Sequence, residues 1–145
     1  MCMAYETKCS CGARSASFHF QDNILSEQIV RQIHCPGCAT AVEFDPSTMV
    51  ADNGWIICYD MAIASVAAAS RIPHPLTPAV LFDGGFCTWN GVYPGDAVDS
   101  VRERSEITAI ARTNPVEYLK KLKSWATDRM ERLKHEGWRK AQNAA

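Results

Sequence analysis

The chain has 145 residues, 47% of them hydrophobic and 21% charged, with a formal net charge of −1. Such a chain suits one compact domain or a small module with a helical extension, and its composition excludes a disordered polymer. The near-neutral charge gives no footing to nucleic-acid binding, and seven cysteines are too many to be incidental.

The start, MCMAYETKCS, has no apolar core, so no secretory leader is expected. The longest apolar run, Met61–Ala69, is far too short to span a bilayer. A cytoplasmic protein is the expectation, and there paired cysteines point to metal more than to disulfides. An odd cysteine count argues the same way.

Residues 1–48 read as strands and turns. Glu6–Ser10 is a short extended lead-in. Ser15–Gln21 sets Phe18 and Phe20 two apart, and Gln28–His34 is rich in β-branched residues. Thr40–Asp45 is a third strand candidate, stopped by Pro46. Asn53-Gly54 marks a turn, and Trp55–Tyr59 suits a buried strand. Asp60 then caps a helix over Met61–Arg71, whose alanines and serines imply close packing. Ile72–Pro78 holds three prolines and runs extended.

Ala79–Phe82 is a further strand candidate. It leads into Asp83–Asp96, a loop with four glycines and three aromatics. A helix over Ala97–Arg112 follows, with Asp96 as its N-cap. A longer one starts at Pro115, capped by Asn114 with Glu117 in a box-like place. Its apolar stripe is Leu119, Leu122, Ala126, Met130 and Leu133, and Gly137 ends it. The fold class predicted is α+β: a β module over residues 1–48, then a mixed middle and two C-terminal helices over residues 49–145.

Charge is uneven. Residues 1–114 carry a net of −5 and residues 115–145 a net of +4. A solvated face on an amphipathic helix explains this most simply. A helix docking on an acidic partner, or on the acidic part of its own chain, is the sharper alternative.

Cys9 and Cys11, in KCSCGA, are separated by 23 residues from Cys35 and Cys38, in HCPGCA. Four thiolates suit Zn²⁺, and iron or an iron–sulfur cluster is the alternative cofactor. Gly12 and Gly37 stand where knuckle turns call for unusual dihedrals, and backbone N–H groups there can hold sulfur ionised. Four protein ligands would close the shell and make the metal structural. Four thiols without metal are the plainer alternative. His34 and His19 read as packed or exposed residues, not ligands.

These motifs resemble the zinc-ribbon domains over the first third of the chain. That resemblance implies two knuckles brought together by a β-hairpin. The sequence departs from it in the C-x-C spacing of the first knuckle and in Ala39 after the second. KCSCG followed by CPGCATAVEFD is also similar to the zinc-binding small gamma subunit of acetone carboxylase, which implies an accessory-subunit role.

Among the other cysteines, Cys58 reads as a small core residue and Cys2 as a free terminal thiol. Cys87, in GGFCTWNG, is the one candidate nucleophile, with His74 as a conceivable activator and Phe86, Trp89, Asn90 and Tyr93 as candidate pocket residues. The alternative is a structured loop whose aromatics cap the core. Three functions follow: an accessory or protein-interaction module with structural zinc, a small enzyme or small-molecule binder around Cys87, and a nucleic-acid-binding zinc ribbon. The acidic character of residues 1–48 opposes the last, although Phe18 and Phe20 could stack bases.

Overall fold

Alternation of large and small side chains builds the first sheet. In the computed structural model, which describes residues 3–68, 70–72 and 75–143, strand β1 (Met3–Lys8) pairs antiparallel with β2 (Ser15–Phe20). Ala16, Phe18 and Phe20 of β2 are buried, as a period-two strand requires. Cys2 and His74 lie outside the described residues, as do Ala69 near the end of the expected helix and Pro73 in the expected extended run. The structure divides after Asn90 into two compact units.

In the first unit, two short 3₁₀ turns follow β2 and lead to β3 (Val30–His34), then to the single helical turn α1 (Pro36–Ala39). The hairpin β4 (Met49–Asp52) and β5 (Trp55–Tyr59) turns at Asn53-Gly54, and β3 joins it to give the order β3-β5-β4. This sheet therefore draws on residues from both sides of position 48. Thr40–Asp45, expected as a strand, is turn and irregular backbone; Val42 N–H bonds back to Ala39 O, which continues the coil of α1.

Helix α2 (Met61–Ala68) buries Ala64 and Ala68 and leaves Val66 exposed. Ala79–Phe82, also expected as a strand, lies within helix α3 (Pro78–Asp83). The local start signal outweighs the apolar run: Thr77 Oγ1 accepts the Val80 N–H at 3.2 Å, and Pro78 occupies the first helical position. Strand β6 (Cys87–Trp89) then completes the first sheet in the order β1-β2-β6.

The two sheets share a core centred on Trp89. Its ring meets Phe18 at 5.1 Å and Trp55 and Phe82 at 5.8 Å between centroids. Its Nε1–H donates to the buried carboxylate of Asp52 at 2.7 Å. Tyr59 Oη donates to the Cys87 carbonyl at 2.7 Å. Trp89→Ala should cost about 3–5 kcal/mol, because a fully buried indole leaves a cavity that its ring neighbours cannot fill. Urea unfolding measures this; a loss under about 1 kcal/mol would mean that the core is not built on this residue.

The second unit is a helical hairpin. Helix α4 (Asp96–Thr108) runs on through a 3₁₀ turn at Ala109–Arg112, and α5 (Pro115–Glu136) returns. Asn114 caps α5 by accepting the Glu117 N–H at 3.1 Å, and Gly137 closes it with φ +96, a conformation that favours glycine. A short α6 (Arg139–Asn143) follows, which the sequence did not announce. Asp96 is not the cap of α4: Gly95 holds that place, and the Asp96 carboxylate instead accepts the Val92 N–H and pairs with Arg129. In the expected apolar stripe, Leu133 is buried, Leu122 and Met130 are half-buried, and Leu119 is 62% exposed. The hairpin seam includes Trp125, whose Nε1–H donates to Glu103 at 2.6 Å.

Candidate metal centre

The first cysteine pair occupies the turn between β1 and β2. Cys9 N–H donates to Arg14 O and Gly12 N–H to Cys9 O, both at 2.8 Å. Gly12 has φ +74, so the bend that brings Cys11 back toward Cys9 needs a residue without a Cβ. The second pair brackets the start of α1. Cys35 is its N-cap residue, Pro36 its first helical residue, and the N–H groups of Cys38 and Ala39 donate to Cys35 O at 2.9 and 2.8 Å. Because this knuckle is helical, Gly37 needs no left-handed backbone, contrary to expectation.

The hairpin expected between the knuckles is absent. β2 pairs with β1 and β6, and β3 pairs with β5. Asp22 and Asn23, both at positive φ, redirect the chain after β2, so the cysteine pairs come from the ends of two different sheets. They still converge. The Sγ atoms of Cys9, Cys11, Cys35 and Cys38 all lie within 4.8 Å of one another, and Cys11 and Cys35 are 3.8 Å apart. A tetrahedral ion with metal–sulfur bonds of about 2.3 Å separates its sulfurs by about 3.8 Å, so the donor set fits one four-coordinate metal ion.

Backbone groups prepare the sulfurs for that role. Cys35 N–H donates to Cys9 Sγ at 3.1 Å. Burial pushes the Cys9 thiol up, but the N–H groups of Cys11 and Cys35 and the neighbouring thiols outweigh it and bring Cys9 down to about 6. Cys38 goes the other way, to about 12, because hydrogen bonds with the other three cysteines hold its proton. Cys9 and Cys35 are buried, Cys38 is half-buried and Cys11 is exposed, so the centre sits at the edge of the unit.

His34 is buried and outside the sulfur cluster; its Nδ1 stands 3.5 Å from Ser10 Oγ, linking the knuckles beside the metal ligands. Sequence reasoning passed over Ser10, whose sole signal is a polar residue inside the C-x-C turn.

The geometry lends Cys87 no support as a nucleophile. Cys87 is fully buried in β6 rather than displayed in a loop, and burial pushes its thiol up to about 12 despite the Tyr59 hydroxyl. Such a shift disfavours the thiolate that a nucleophile needs. Trp89 is core in the first unit, while Tyr93 belongs to the second and stacks on Trp138 at 5.5 Å. Phe86 and Asn90 are half-buried. Phe18 and Phe20 are also fully buried, which removes them as stacking platforms for bases. Cys58 lies in the central strand β5, mostly covered, as expected.

Among the described residues, no helix is long and apolar enough to cross a membrane. No family model matches the chain, and comparison with curated proteins and with solved structures finds no match. The likenesses to zinc ribbons and to the acetone carboxylase gamma subunit thus rest on the cysteine motifs alone.

Proposed function

We propose that Cys9, Cys11, Cys35 and Cys38 hold one structural zinc ion, and that the protein is an accessory or interaction module of a larger complex. The observation that carries this reading is the approach of four sulfurs to within 4.8 Å. Zinc suits it because a d¹⁰ ion accepts whatever tetrahedral shell the fold offers and needs no redox partner. A multi-iron cluster, whose thiolates sit on separate irons, would need its sulfurs spread further. When bound, the ion ionises the thiols and ties the β1–β2 turn to the start of α1. Four thiolates leave no open position for a substrate.

The accessory role rests on the second unit. Val98, Val101, Val116 and Leu119 are more than 60% exposed, and the long helix is the basic part of the chain. The test is the assembly state in native extract. A stoichiometric partner, lost on Leu119→Asp with metal content unchanged, is the expected result; a strict monomer with no such partner overturns the role.

Acid should release the metal. The bound form carries fewer protons than the free form, so affinity falls as pH falls. Near neutrality at least the Cys38 proton must leave, which predicts a loss of at least about tenfold per pH unit. Below about pH 6, where Cys9 also takes up a proton, the slope should steepen by about another factor of ten. Competition with a chromophoric chelator across pH measures it.

A further inference from the structure

A second feature of the first unit adjoins the metal centre but uses none of its four sulfurs. A cavity of about 420 Å³ opens beside the three-stranded sheet, and its lining includes Arg31, Gln32, His34, Thr48, Met49 and Cys58. Consecutive residues of a regular strand point to opposite faces. Here β3 is irregular: Val30 faces Tyr59 and Gln32 faces Cys58, so two steps on β3 match one step on β5. Arg31 is the extra residue of a β-bulge, and the bulge turns it to the same cavity as Gln32.

The charge of the lining is one-sided. Arg31 makes no ion pair among the described residues, and no carboxylate lines the cavity. This is unusual in its setting, because residues 1–90 carry only four Lys/Arg against eight Asp/Glu. His34 is 92% buried, and Ser10 engages its Nδ1. The floor is apolar: Cys58 on the central strand, flanked in register by Gln32 and Met49.

We propose that this cavity binds a small organic carboxylate with an apolar body. The Arg31 guanidinium forms a fork for the carboxylate, His34 Nε2 and the Gln32 amide donate at its edge, and Met49 and Cys58 pack against the hydrocarbon. A single cation over an apolar floor matches a monoanion with a carbon chain better than a phosphate, which would call for more positive charge. The site does not depend on which metal the neighbouring thiolates hold.

The test uses the full chain as purified, with its metal content recorded, in backbone-amide NMR titrations. The probes are hexanoate, acetate, hexanamide and inorganic phosphate. Hexanoate is expected to bind saturably with a Kd of about 1 mM or tighter, shifting the amides of Arg31, Gln32, Met49 and Cys58. Acetate and hexanamide should each be about tenfold weaker or worse, the first lacking the body and the second the charge. Arg31→Gln should cost at least about tenfold with metal content unchanged. If that variant misfolds, the hexanoate–hexanamide comparison on the wild-type chain still decides. Equal binding of the acid and the amide, stronger binding of phosphate, or no saturable shift with hexanoate overturns the proposal.

Discussion

Replacing Cys35 with serine should leave the protein with about a tenth of an equivalent of metal or less and destabilise its first unit. Cys35 is buried, so this change removes an enclosed ligand, while the backbone N–H that donates to Cys9 Sγ is kept. A serine hydroxyl does not ionise near neutral pH and cannot stand in for the sulfur. Binding energy in small zinc modules is largely folding energy, about 10–16 kcal/mol in the extreme cases where no other core exists. This unit has the Trp89 core as well, so the expected outcome is a lowered thermal midpoint and loosened knuckles with the β-sheets retained. The four single variants should rank by burial: Cys9→Ser and Cys35→Ser most damaging, Cys38→Ser next, and Cys11→Ser least, since water reaches that position. Metal analysis and thermal unfolding on the four proteins check the order. Equal behaviour of all four with full metal retention would contradict it.

The second large effect is expected in the helical unit. Asp96 is buried, with its side chain 5% exposed, and Arg129 of α5 pairs with both of its oxygens. The same guanidinium lies 5.7 Å from the centroid of the Trp125 ring. Arg129→Met keeps most of the side-chain volume but strands a carboxylate away from water, which should cost about 3–5 kcal/mol. Adding Asp96→Asn removes the stranded charge, and the double variant should recover a large part of that loss. Urea unfolding followed by helical circular dichroism reads both steps. If the single variant loses under about 1 kcal/mol, the pair is solvated and the account of this hairpin is wrong.

How far the sequence foretold these features depends on how local each cause is. The cysteine quartet was legible because paired thiols at short spacing are a local pattern with one common use. The Asn114 cap, the Asn53-Gly54 turn and the Phe18/Phe20 alternation were legible for the same reason. The pairing of strands was not: nothing in Ser15–Gln21 says that its partner is Cys87–Trp89 rather than Gln28–His34. Ala79–Phe82 misled because four apolar residues fit a strand as well as a helix, and Thr77-Pro78 decides between them. Asp96 looked like a cap, but a distant residue, Arg129, sets its role. Cys87 looked reactive because glycines surround it in sequence; its burial, a tertiary property, was not legible there. The Arg31 bulge leaves no sequence signature.

The claim on which the rest depends is that four sulfurs enclose a single ion. X-ray absorption at the zinc edge of the protein as purified tests it most directly. The account predicts zinc near one equivalent, with a first shell of four sulfurs at about 2.3 Å and no nitrogen or oxygen neighbour. A shell with fewer sulfurs, or a protein that carries no metal when purified without air, would contradict it.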